Sequence, residues 1–177
     1  MINTRYPALA IALALLCSLP ALAADDHARG AAAYERALER LKHEETQAGL
    51  IELKNAVQAA PNYLPAWLEL GKVYLALGYG QLAEGAYERA SKLGADASLT
   101  LLPRARSYLI QGKLDELLAL DAAGALGAAD EAALLVLQGN AQLEAGELDE
   151  ALVRFRRAEE LDSMAAAPLW GMALAKL

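Results

Sequence analysis

The chain has 177 residues, 56% hydrophobic and 22% charged, a size that fits one folded domain. Its 16 basic and 23 acidic residues give a formal charge of -7, and no basic block interrupts that balance. A phosphate backbone needs clustered Lys or Arg, so nucleic acid is excluded as the expected partner.

From the start, residues 1–23 carry one positive charge at Arg5, an apolar run from Ala8 to Leu19, a helix break at Pro20 and then Ala21-Leu22-Ala23. This is the layout of a secretory signal cut after Ala23. The apolar run is short of the roughly 20 residues that span a bilayer, so no transmembrane anchor is expected once it is removed. Cys17, the only cysteine, lies inside this segment. Lipidation would make it an outer-membrane anchor, but a small residue should then precede it and Leu16 stands there. The mature chain has no thiol left for a disulfide or a metal. The expected location is the periplasm or the exterior.

Residues 24–29 form a polar lead. Two helices follow, Gly30 to His43 and Thr46 to Ala59, closed by Pro61-Asn62, because proline cannot continue a helix. The next pair, Leu64 to Leu77 and Gln81 to Leu93, carries Trp67-x2-Leu70-Gly71-x2-Tyr74 and then Ala83, Tyr87 and Ala90. That spacing puts bulky and small residues on the facing sides of two antiparallel helices.

The pattern recurs every 34 residues, the tetratricopeptide period. Gly71 has Ala37, Ala105, Gly139 and Ala173 in register; Leu75 has Leu41, Leu109 and Leu143; Gly78 has Gly112 and Gly146; Ala90 has Ala56, Gly124 and Ala158. The expected fold is therefore all-α, a right-handed α-solenoid of tetratricopeptide helix-turn-helix repeats over residues 30–177. About four repeats begin near Gly30, Leu64, Ser98 and Ala132, followed by a terminal helix.

In the third pair Ser98 or Thr100 is expected to cap the first helix, placing Pro103 in or near its first turn. Its second helix, from Leu114, should be short, since Asp121 occupies the site of Tyr87 and Phe155 and two glycines follow at Gly124 and Gly127. The fourth pair, Asp130 to Ala145 and Leu148 to Leu161, restores Ala151, Phe155 and Ala158. The last helix, opened by Pro168, is apolar at Leu169, Trp170, Met172, Leu174 and Leu177. It asks to be covered, by the fourth pair, by further repeats or by self-association.

Several stretches share wording with one family: Leu50 to Asn62, Leu70 to Gly78, Leu93 to Asp96, Leu101 to Arg106, Gln111-Gly112-Lys113 and Gln138 to Ala141. They resemble the TPR-repeat protein of the PEP-CTERM/exosortase system, over roughly residues 45–177. The resemblance implies an exported protein of Gram-negative bacteria serving surface-protein sorting and exopolysaccharide production. Other readings are a periplasmic adaptor of polysaccharide export or outer-membrane assembly, and the front of a longer repeat protein or enzyme.

No catalytic constellation, cofactor fingerprint or metal site is expected. His27 and His43 stand apart, and His43-Glu44-Glu45 points around a helix end instead of converging. Asp115-Glu116 and Asp149-Glu150 open second helices, where acids complement the dipole. Trp67, Tyr74 and Tyr87 occupy packing positions. A protein or peptide partner would instead meet first-helix residues one step round from these: Leu68, Lys72, Leu75, Leu102, Arg106, Leu109, Asn140 and Leu143. Lys72, Arg106 and Asn140 form a polar ladder between leucines, suited to an extended or helical segment with acidic character.

Overall fold

The structure, a computed structural model, describes residues 7–122 and 124–162. Its regular elements are all helices: α1 (Pro7–Lys42), α2 (Thr46–Ala59), α3 (Leu64–Ala76), α4 (Gly80–Lys92), α5 (Ala97–Gln111), α6 (Leu114–Leu118), α7 (Ala128–Ala145) and α8 (Leu148–Leu161). The chain divides after Ala66 into two compact units. The predicted terminal helix, its role in self-association and Ala173 lie outside the described residues.

In the first unit α1 and α2 pair antiparallel. Gly30 abuts Ala60 at one end, and Leu41 abuts Gly49 at the other, where a Cβ on Gly49 would stand 2.7 Å from the Leu41 side chain. Ala37 and Leu53 are fully buried between them. Arg36 reaches across to Glu52 at 2.9 Å and holds that carboxyl below its ordinary pKa. The first helix was expected from Gly30 but starts at Pro7 and passes through Pro20 and the polar lead. Alanine and leucine, strong helix formers, flank Pro20 on both sides and carry the helix through it.

In the second unit the tetratricopeptide arithmetic becomes contact geometry. A Cβ on Gly71 of α3 would stand 2.7 Å from the Tyr87 ring of α4, and one on Gly139 of α7 would stand 2.6 Å from the Phe155 ring of α8. No larger residue fits either notch without moving the ring. Where the notch holds alanine, at Ala37, the opposing site 34 residues before Tyr87 is Leu53, so volumes trade off pair by pair.

One turn joins the helices of every hairpin. Glu44, Gly78, Gly112 and Gly146 all adopt left-handed φ, at 61°, 75°, 69° and 81°. The next residue's N–H then reaches back five positions: Glu45 to Arg40 O, Tyr79 to Tyr74 O, Lys113 to Tyr108 O and Glu147 to Gln142 O, at 2.8–3.0 Å. This is the Schellman closure, which satisfies carbonyls left over at a helix end. Tyr79 packs on Tyr74 and Lys113 on the Tyr108 ring, the side-chain contact that accompanies the motif.

The third hairpin departs as predicted, and further. α6 has five residues, and the chain then loops to α7 with Ala122 and Leu126 buried. Asp121, in the aromatic register, is exposed. These residues join Leu102, Ala105, Tyr108, Leu117, Leu134 and Ala141 in one apolar cluster, Asp121 excepted.

Two expectations for α5 are corrected. The cap is Asp96, whose carboxylate accepts from Ser98 N at 2.8 Å, so neither Ser98 nor Thr100 serves. Asp96 stands at the non-helical position just before the first turn, where its carboxylate can accept from a free N–H of that turn. Pro103 consequently lies inside the helix. The carbonyl that loses a donor is that of Leu99, an exposed residue where solvent is at hand.

Candidate functional site

The first helices of the second and third hairpins, α3 and α5, flank a cavity of about 540 Å³ lined by Lys72, Leu75, Ala76, Tyr87, Pro103, Arg106 and Ile110. Lys72 and Arg106 are exposed, and Ile110 and Ala76 supply apolar surface in solvent. Helical spacing explains the membership. Lys72, Leu75 and Ala76 recur at three and four residues on α3, and Pro103, Arg106 and Ile110 do the same on α5. Tyr87 enters from α4 beneath, positioned by the Gly71 notch.

The electrostatics mix one engaged and one unengaged cation. Lys72 Nζ lies 2.7 Å from Glu69 Oε2, one turn back on α3. Arg106 makes no hydrogen bond or ion pair among the described residues. The Tyr87 hydroxyl has no hydrogen-bond partner there either. Burial, aided by the Glu69 charge and opposed by Arg106, pushes its pKa up to about 12, so it stays a protonated donor at neutral pH.

Of the eight residues expected to face a partner, the cavity gathers Lys72, Leu75 and Arg106. Leu68, Leu109, Asn140 and Leu143 are half-buried outside its lining. Leu102 is a correction: at 7% exposure it belongs to the apolar cluster with Ala105 and Tyr108. It shares their stripe at three-residue intervals and is buried with them in the cluster that also holds Leu117, Ala122 and Leu126, the short α6 and its loop. Leu109 packs against the same cluster. Sequence reasoning missed Ala76, Pro103 and Ile110, and assigned Tyr87 to the core only. The signal for Ile110 was its four-residue step from Arg106.

Tyr74 and Tyr87 are buried, as their packing register required, while Trp67 is half-buried. His27, placed by the sequence in a loose lead, sits on α1 with its ring edge on Tyr63 at 5.2 Å. His43 pairs with Glu39 at 2.9 Å, not with Glu44 or Glu45, and among the described residues no His, Cys, Asp or Glu cluster could hold a metal. The carboxylate pairs lie in the first turns of α6 and α8 as expected. A second cavity, about 360 Å³, lies between α7 and α8 beside Gln142, Val153 and Arg154.

The least expected side chain is Gln138 of α7, 2% exposed. Its amide donates to Leu117 O at 3.1 Å and Leu120 O at 2.8 Å, and its oxygen accepts from Arg154 at 2.8 Å. It satisfies carbonyls that a full-length α6 would have paired internally. The available clue was a glutamine in the register of Leu70, directly after the shortened hairpin.

Among the described residues no helix is long and apolar enough to cross a membrane. No protein-family model matches the sequence, and no curated protein sequence does so at a significant level. Solved structures do. MamA from Desulfovibrio magneticus RS-1, residue 41 to its end, is 18% identical over 84% of each chain with a TM-score of 0.70. YrrB, "a TPR protein with an unusual peptide-binding site", is 19% identical over 81% of this chain and 74% of that one, with a TM-score of 0.65. A thermophilic TPR protein of Thermus thermophilus, TTC0263, is 25% identical over 83% and 81%, with a TM-score of 0.60. By its hairpins, its turns and these likenesses the chain has the tetratricopeptide-type helical-hairpin fold of these solved structures.

Proposed function

We propose that this chain is a noncatalytic, exported scaffold that binds a protein partner through the groove between α3 and α5. The observation that carries this reading is the cavity in which two cations, Lys72 and Arg106, border an apolar wall. Such a lining suits an extended segment that offers a carboxylate beside an aliphatic side chain. The peptide-binding site named for YrrB supports a peptide as the occupant.

The signal layout of residues 1–23 supports export. The resemblance of residues 45–177 supports a role in PEP-CTERM/exosortase protein sorting and exopolysaccharide production. The test compares binding partners recovered by the mature chain with those of Lys72→Glu/Arg106→Glu. The double variant is expected to lose the partner while keeping its helical circular dichroism. Equal capture by both chains would remove the groove reading. Deletion of the gene in a strain with an exosortase should leave PEP-CTERM proteins unsorted; normal sorting would contradict that pathway and leave the groove untouched.

A further inference from the structure

We propose that the Tyr87 hydroxyl is the polar anchor of this groove, donating a hydrogen bond to the carboxylate of an Asp or Glu in the bound segment. The proposal rests on the groove reading above and adds to it the donor and the acceptor.

Packing alone does not call for the hydroxyl. In the fourth hairpin Phe155 fills the equivalent notch against Gly139 with the same close contacts, and in the first hairpin Leu53 serves, all three residues being buried to within 1%. A ring without oxygen would complete the second hairpin equally well. Tyr87 instead carries a buried hydroxyl with no acceptor among the described residues, an arrangement that disfavours the free state and rewards any ligand supplying one.

The surroundings fix the ligand's chemistry. Tyr87 lines the cavity together with Lys72 and Arg106. The one acid that bears on its hydroxyl is Glu69, and Lys72 already engages that carboxylate at 2.7 Å. Arg106 is without an ion pair among the described residues. An incoming carboxylate therefore meets an unengaged guanidinium at the groove surface and reaches the unused phenol oxygen, which is shielded, once a covering side chain moves aside. Both cations end long, exposed side chains, so they can fold over the ligand as it reaches the shielded hydroxyl. Leu75, Pro103 and Ile110 accept an aliphatic neighbour. The ligand class is a short acidic-aliphatic peptide segment.

The experiment titrates the full chain with acetyl-Ser-Leu-Asp-Leu-Ser-amide and with its Asn counterpart, using calorimetry and thermal unfolding. The Asp peptide is expected to bind about tenfold tighter than the Asn peptide. Tyr87→Phe should lose about that factor, the worth of one charge-assisted hydrogen bond, with an unfolding midpoint no lower than that of the parent chain. Lys72→Glu/Arg106→Glu should bind neither peptide. Unchanged Asp-peptide affinity in Tyr87→Phe beside loss in the double variant would overturn the anchor and leave the groove. A lowered midpoint in Tyr87→Phe would reveal an internal partner and overturn it too. No binding by the parent chain would overturn both.

Discussion

The second and third hairpins share a first helix and a turn but not a second helix. α3 and α5 both end in a left-handed glycine and the same five-residue backward hydrogen bond, Tyr79 to Tyr74 and Lys113 to Tyr108. Beyond that turn α4 runs thirteen residues while α6 runs five. In one, Tyr87 fills the Gly71 notch; in the other, the matching site is an exposed Asp121, and Ala122, Leu126 and the Gln138 amide complete the packing. The lesson is that the first helix and turn form the invariant half of the repeat. The second helix can shrink when the next hairpin supplies hydrogen bonds for its stranded carbonyls. Since the groove residues lie mainly on first helices, the proposed binding face is kept beside the defect.

That contrast can be broken most forcefully at the aromatic register. Tyr87→Ala and Phe155→Ala should each cost about 3–5 kcal/mol in chemical denaturation. Asp121→Ala, at an exposed site, should cost no more than about 1 kcal/mol, the worth of a surface polar contact. A comparable loss at all three sites would mean that Asp121 packs as the rings do.

Next in size is the tether. Gln138→Leu keeps the volume but strands two carbonyls and the Arg154 contact, so it should cost about 2–3 kcal/mol. The loss should be concentrated in α6 and its loop. If residues 80–92 lost protection equally, Gln138 would be a general core residue and not a substitute for the missing helix.

Smaller effects sharpen the turn itself. Glu44 occupies at φ 61° the position that is glycine in the other three hairpins, and a non-glycine residue there is strained. Glu44→Gly should therefore stabilise the chain by about 0.5–1 kcal/mol, offset in part by the greater freedom of the unfolded chain. A loss of stability would show that the turn tolerates the side chain without strain.

The smallest effect depends on pH. Glu84 of α4 accepts from Lys113 at 2.7 Å and Gln111 at 2.8 Å. Burial alone would raise its pKa, but these bonds outweigh it and hold the carboxyl below the ordinary 4.5. A lowered folded pKa stabilises fully above the unfolded value and is lost as pH falls through the folded one. The loss is expected below about pH 4.5 and, for a partly screened pair, should stay under about 1 kcal/mol. Glu84→Gln should remove that part of the acid sensitivity.

How much of this was legible in the sequence varies with its physical origin. α2 and α8 have the predicted bounds, because periodicity and flanking breakers agree there. The small-against-bulky notches were also legible, since steric pairing leaves a fixed spacing. α5 was misplaced because Asp96, Ser98 and Thr100 are all competent caps, and only the backbone path selects Asp96. Leu102 was assigned to the groove by register alone, yet register does not report a neighbouring helix that ends early. Gln138 escaped notice because its partners are backbone carbonyls, which carry no residue identity.

Native-state hydrogen exchange across α4, α5 and α6 tests the division of the repeat most directly. Residues 97–111 should be protected as well as residues 80–92, while residues 114–122 exchange substantially faster, and faster again in Gln138→Leu. Equal protection of α4 and α6, or loss of protection throughout α5, would contradict it.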